Sequence, residues 1–339
     1  MGIVRHKFKP FILTVVFFIC FTMENGVQAS NETAAGNWLY KKEYTFIWMS
    51  DTQYYSESYP HILEKQVNWI TEEKEKLNIQ YVFHTGDIIN KADKRVQWER
   101  ADRLLGVLDK NLVPYGVLAG NHDLLNGKDN YTKYGKYFGY SRFKDNPWYG
   151  DRYLQNKGHY DLISAEGDDY IIVFMGWGIN QEEVNWMNDV LQQYPDRRAI
   201  LAFHDYLYTN GERSQVGEKL YEQIVKQNKN VELVLSGHYH GANVKADEID
   251  DDGDGKADRT VYQILADYQA APNGGQGYLR VLTVNPKDDT IHFTTFSPYL
   301  HSFNYYDAET YPGKDEFIIK MKGKKNKWFF RKLQFYNKS

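Results

Sequence analysis

Five apolar runs each end in side chains that can hold a metal ion or move a proton. Phe46-Ile47-Trp48-Met49-Ser50 leads into Asp51-Thr52-Gln53, and Tyr81-Val82-Phe83-His84-Thr85 into Gly86-Asp87. Val117-Leu118-Ala119 leads into Gly120-Asn121-His122-Asp123. Ala199-Ile200-Leu201-Ala202-Phe203 leads into His204, and Leu233-Val234-Leu235-Ser236 into Gly237-His238-Tyr239-His240. Asp51, Gln53, Asp87, Asn121, His204, His238 and His240 together offer two carboxylates, two amide oxygens and three imidazoles. Hard oxygen and borderline imidazole donors suit first-row divalent metals. The set exceeds the needs of one ion. A carboxylate such as Asp87 could bridge two, and two metals about 3.5–4 Å apart can clamp a phosphoryl group and generate a hydroxide nucleophile. No thiolate is present, which argues against a closed structural zinc site. Any one of these residues alone reads as a loop, a turn or a hydrogen-bonded histidine. The signal lies in the ordered set.

The elements that must position them alternate. Residues 44–50, 79–85 and 113–119 read as buried strands. Residues 61–77 and 92–108 carry apolar side chains near helical spacing, and Pro60 marks a helix start. Strand and helix in alternation predict an α/β layered fold. Residues 124–158 break the rhythm with Gly, Asn, Lys and many aromatics, and this insertion is expected to overhang the site or to pack on itself. Strands resume at 159–164, 169–177, 198–203 and 231–235, with helices at 180–194 and 216–227. Beyond Val244 the chain reads as β only, at 260–265, 278–284 and 290–296, and these strands are expected to form edges and hairpins of a second sheet.

The series Asp51-X-Gln53, Gly86-Asp87, Gly120-Asn121-His122-Asp123, His204 and Gly237-His238-X-His240 resembles the calcineurin-like metallophosphoesterase superfamily. The pairing of the Gly-Asn-His-Asp and Gly-His-X-His motifs is highly specific, and the resemblance covers residues 44 to about 299. It implies a four-layer α/β/β/α sandwich of two mixed β-sheets flanked by helices, with a dinuclear metal centre. Carried over by position, Asp51, Gln53, Asp87 and His240 would hold one ion. Asp87, Asn121, His204 and His238 would hold the other. His122 would face the phosphate, stabilising charge or protonating the leaving oxygen, with Asp51 or Asp123 orienting it. The implied reaction is attack of a metal-bound hydroxide on a phosphomonoester or phosphodiester. One position departs from the pattern, since the first motif is usually Asp-X-His. An amide oxygen there makes the site harder. Among manganese, iron, magnesium and zinc, manganese or iron is therefore favoured. Asn90 stands where the protein-phosphatase branch has an aspartate, which argues against that branch.

Other features bound the function. Arg5, Lys7 and Lys9 precede an apolar run over 11–21, and Val27-Gln28-Ala29 resembles a cleavage site. Residues 1–29 thus read as a signal peptide for bacterial-type export, 30–43 as an exposed leader, 44–319 as one domain and 320–339 as a basic aromatic tail. The single cysteine, Cys20, lies in the signal segment, so the exported chain is expected to use neither disulfides nor thiol catalysis. The net charge of −4 argues against specific nucleic-acid binding. The tail (Lys320, Lys322, Lys324, Lys325, Lys327, Arg331, Lys332, Lys338) could bind an anionic wall polymer or membrane, or be a solvated end. Within the acidic loop 247–259, Asp250, Asp252, Asp254 and Asp258 have calcium-loop spacing, but Val261 stands where an EF-hand needs glutamate. The loop reads as a lone calcium site or as a solvated turn. Arg142 and Arg152 are candidates to hold an organic group beside a phosphate. The leading expectation is a secreted metal-dependent phosphoesterase. The alternatives are a non-catalytic wall- or membrane-associated binding protein with a degenerate site, and a dinuclear metallopeptidase, which would call for more carboxylates.

Overall fold

The structure, a computed structural model, describes residues 42–125 and 130–321. The signal segment, the leader up to residue 41 and the tail from residue 322 lie outside the described residues.

In chain order the first elements are β1 (Tyr44–Met49), α1 (Gln53–Glu57), α2 (Pro60–Glu73), β2 (Ile79–His84), α3 (Arg95–Lys110) and β3 (Tyr115–Val117). The insertion contributes α4 (Thr132–Phe138), α5 (Tyr140–Phe143) and β4 (Tyr149–Tyr153). Then come β5 (Gly158–Ala165), β6 (Asp168–Met175), α6 (Gln181–Gln193), β7 (Arg198–Phe203), α7 (Gln215–Leu220) with a π-helical turn (Tyr221–Val225), and β8 (Val231–Ser236). The chain ends in β9 (Gly241–Ile249), β10 (Arg259–Asp267), α8 (Pro272–Gly275), β11 (Leu279–Asn285), β12 (Thr290–Ser297), β13 (Ser302–Phe303) and β14 (Phe317–Lys320).

Two mixed seven-stranded sheets result. The first runs β13-β12-β11-β1-β2-β3, with β14 also on β12; the second runs β4-β5-β6-β7-β8-β10-β9. In the first, β1, β2 and β3 are parallel; in the second, β6, β7, β8 and β10 are. The alternation of side chains along each strand builds the layers. Phe46 and Trp48 of β1 face inward to meet Tyr170, Phe174, Ile200 and Leu235 of the other sheet. Ile47 and Met49 face outward, under Ile62 and Val67 of α2 and Leu104 and Leu108 of α3. On the far side Ile171, Val173 and Leu201 lie under Val184, Met187 and Leu191 of α6. The expected helix–sheet–sheet–helix order is present.

Two expectations change. The C-terminal strands do not all join the second sheet. β9 and β10 extend the second sheet, whereas β11 returns antiparallel to β1 and places Leu282 and Val284 in the same inner core as Phe46. The insertion packs into the core and not only on itself. Tyr134, Phe138 and Phe143 are fully buried in the α3 layer, and Tyr137 stacks on Trp98 at 5.5 Å.

One buried histidine ring lies 3.8 Å from the Asp161 carboxylate yet makes no hydrogen bond. His159 on β5 is stacked against Phe174 at 4.5 Å, and neither ring nitrogen has a hydrogen-bond partner. Burial pushes its pKa down to about 3. A histidine kept neutral in the fold gives stability that is fully present above its unfolded pKa, near 6.5, and is lost as pH falls toward 3. His159→Phe should keep the stack and remove two unsatisfied nitrogens. Thermal unfolding should show a gain of about 1–2 kcal/mol at pH 7 and a flatter decline on acidification. A loss of stability at pH 7 would contradict this account.

Candidate metal centre

The parallel strands deliver their polar residues to one edge, where backbone bonds lace the strand ends together. Asp51 N–H donates to the Gly86 carbonyl at 3.1 Å, Gly237 N–H to His204 O at 3.1 Å, and Trp177 N–H to Ala119 O at 2.9 Å. Two glycines allow the approach. A Cβ on Gly120 would strike the Asp87 carboxylate, and one on Gly237 would strike Asp51 Oδ2 and Ser50 Oγ. Asp51, Asp87 and His238 adopt left-handed φ values of 52°, 50° and 73°. Such backbone costs a non-glycine residue about 1–2 kcal/mol and tends to cluster where function demands it.

His204 bridges the two sheets. Its Nδ1–H donates to the Thr85 carbonyl at 2.8 Å, which turns Nε2 inward, 3.1 Å from Asn121 Oδ1 and 3.4 Å from Asp87 Oδ2. Asp87, His204 and His238 each offer a ligand atom, all within 4.8 Å of one another. Gln53 joins them, its Nε2 donating to Asp87 Oδ2 at 3.2 Å. Its Oε1 is buried without a partner. Asp51 accepts the His238 N–H at 3.2 and 3.3 Å and the Ser50 hydroxyl. These residues fit a divalent metal: buried oxygen and imidazole donors converge, and one buried amide oxygen is left waiting for a cation.

The charges agree. Burial would raise Asp87, yet the facing His204 and its hydrogen bond hold the carboxyl below the usual range. Burial opposes a charged His204, but Asp87 pushes it up to about 10. Burial, and then the Asp267 charge, raise Asp51 well above the ordinary carboxyl value.

His240 stands apart from the Asp87–His204–His238 group. Its side chain is 53% exposed, lies 4.0 Å from Asp267 Oδ2, and accepts a hydrogen bond from Gln269 Nε2.

His122 lines a cleft of about 330 Å³ with Asn90, Lys91, Asn121 and Leu124. Its backbone N–H donates to Asp87 Oδ1 at 2.9 Å, and its Nδ1–H to the Asn90 carbonyl at 2.9 Å. This corrects the expectation that Asp51 or Asp123 orients the ring. The Asp123 carboxylate is fully buried and accepts the backbone N–H groups of Ile88, Ile89 and Gly120 at 3.1, 2.9 and 2.8 Å. It clamps the Asp87 loop to the Asn121 loop. Burial raises its pKa to about 7.

The arginine candidates are engaged elsewhere. Arg142 pairs with Asp102 and, at 2.7 Å, with Asp109, both on α3. Arg152 lies over the Tyr140 ring, 3.4 Å from its centroid. They fasten the insertion and have no bond to the centre among the described residues. In the acidic loop, Asp250, Asp252 and Asp254 lie within ligand range of one another and are exposed. Asp258 is outside that group and accepts the Asp251 N–H at 2.9 Å. Three residues escaped the sequence reading. The Asn90 carbonyl holds His122. Trp177 packs its ring 5.8 Å from His204 and 5.1 Å from His238. Asp267 ends β10 beside His240.

The family model for the calcineurin-like phosphoesterase domain matches residues 44–242, which spans the seven candidate ligands from Asp51 to His240. The chain belongs to the calcineurin-like phosphoesterases. Members of this family normally depend on two metal ions. The uncharacterized protein YvnB of Bacillus subtilis is 57% identical over 281 residues, covering 83% of this chain and 22% of that protein. A "Probable cyclic nucleotide phosphodiesterase" of Psychrobacter arcticus is 20% identical over 171 residues, covering 49% of this chain and 58% of that one. The chain therefore spans less than two thirds of the length of both curated relatives. In fold it is similar to purple acid phosphatase PPD1 from yellow lupin seeds, with a TM-score of 0.53 and 12% identity over 83% of this chain and 54% of that one. It is also similar to GAP50, the anchor in the inner membrane complex of Plasmodium, with a TM-score of 0.51 and 11% identity over 84% and 90% of the two chains.

Proposed function

We propose that this phosphoesterase is a secreted, dinuclear enzyme that hydrolyses a phosphomonoester or a phosphodiester. The carrying observation is the convergence of Asp87, His204 and His238 with Asn121 and the unpartnered Gln53 Oε1, beside His122 in an open cleft. Asp87, Asn121, His204 and His238 would hold one ion, and Asp51, Gln53, Asp87 and His240 the other. When bound, such a pair supplies Lewis acidity and lowers the pKa of water.

The chain's own residues do the rest. The Thr85 carbonyl holds the Nδ1–H of His204, which would leave Nε2 free to coordinate. The Asn90 carbonyl does the same for His122, leaving Nε2 to deliver a proton to the departing oxygen. Trp177 closes one side of His204 and His238 against water. Export rests on residues 5–29, and attachment to an anionic wall or membrane on the basic tail; both readings come from sequence.

The test is metal analysis of the purified full chain, paired with aryl and alkyl phosphomonoesters and phosphodiesters, with and without added calcium. Two manganese or iron ions per chain and chelator-sensitive turnover of one ester class are expected. Metal-loaded protein inert on every ester would favour the binding-protein alternative. Turnover of peptide amides would favour a metallopeptidase.

A further inference from the structure

The proposed second ion has a thin set of donors. Asp87 is shared, Gln53 is a neutral amide, and His240 is half exposed and turned toward Gln269. Asp51 is its one unshared anion. A further carboxylate lies at the same edge. Asp267 ends β10, opposite Gly241 of β9, and the parallel pairing of Leu265 with Ser236 carries it level with Gly237 and His238.

Its side chain is fully buried. Oδ1 accepts the Gln269 N–H at 2.8 Å and closes the turn after the strand. Oδ2 has no hydrogen-bond partner, and its nearest cationic candidate, His240 Nε2, is 4.0 Å away. Gln53 Oε1 and Gln269 Oε1 are likewise buried and unpartnered. Oxygens buried without donors are costly, since each forfeits about 1–3 kcal/mol of desolvation. The turn does not explain the carboxylate, because an asparagine oxygen would accept the same N–H. Asp51, at the end of β1, is a second carboxylate buried at this edge. A cation between the two resolves all of these features, and no lysine or arginine supplies one among the described residues.

We propose that Asp267 is a metal-binding residue, its free Oδ2 completing the cation site of Asp51, Gln53 and His240. Gln269, which shares the turn and touches His240, would position that histidine. The added carboxylate makes the site oxygen-rich and suited to manganese, magnesium or iron(II) over zinc. The proposal rests on the dinuclear reading above.

The test uses the full chain stripped with chelator and titrated with manganese, scored by bound metal and by thermal unfolding. The unsubstituted chain is expected to bind two ions. Asp267→Asn, which keeps the turn acceptor, should bind one under the same conditions, with affinity at the weaker site reduced about 10–100-fold or more. Its manganese-induced rise in Tm should shrink. Its Tm in chelator should be equal or higher, because a buried unpaired charge is gone. Two ions bound with unchanged affinity would overturn the proposal. So would a lower Tm in chelator with the full manganese response, which is the signature of a purely structural residue. An unsubstituted chain that binds no manganese would overturn the dinuclear reading itself, and this proposal with it.

Discussion

Asp87→Asn is expected to empty both halves of the metal centre and to lower phosphoester hydrolysis by about 10³-fold or more. Asp87 is the point on which the site converges. His204 Nε2, Gln53 Nε2 and the His122 N–H approach its two oxygens at 3.4, 3.2 and 2.9 Å. Losing the metals removes several kcal/mol of charge stabilisation from the transition state, and each 1.36 kcal/mol is tenfold in rate. Asparagine is nearly isosteric and still accepts the His122 N–H, so the loop should keep its path. The variant also removes the anion that raises His204 against the cost of its burial, so the His204 pKa should fall. Metal content and turnover should fall together while the Tm in chelator stays within a few degrees. Retention of both ions by Asp87→Asn would remove Asp87 as the bridge.

The strand ends were legible because burial and chemistry leave separate marks. A strand covered on both faces must be apolar throughout, so a sudden run of polar residues locates its end. β1, β2, β3, β7 and β8 all follow that pattern, and Asp51, Asp87, Asn121, His204 and His238 come to one edge as a result. Asp267 carries the same mark, after Ile264-Leu265-Ala266, but it sits in a stretch that reads as sheet-edge hairpins. The hold on His122 had no such signal, because Asn90 acts through its main-chain carbonyl, which any residue would supply. Asp123 misled for a related reason. A carboxylate next to a catalytic-type histidine suggests a charge partner, yet its oxygens serve three backbone amides. Arg142 misled by position. A cation in a loop after the site suggests a phosphate ligand, whereas Asp102 and Asp109, two turns apart on one face of α3, already claim it.

His122→Ala separates the chemistry from the scaffold. The part of His122 that supports the centre is its backbone N–H on Asp87 Oδ1, which alanine retains. Metal content should therefore be unchanged. What disappears is a ring held by the Asn90 carbonyl, with Nε2 available in the cleft. If that nitrogen protonates the leaving oxygen, kcat on an alkyl phosphoester should fall by about 10²–10⁴-fold. The fall should be much smaller on a nitrophenyl ester, whose departing oxygen is stable without a proton. The limb of the pH–rate profile that reports the protonated acid should vanish with it. An equal loss on both esters would instead place His122 opposite the phosphoryl oxygens, stabilising charge. Loss of metal would mean that the ring, and not the N–H alone, shapes the Asp87 loop. The leaving-group dependence thus decides between the two roles open to a histidine at this position, without requiring the natural substrate to be known.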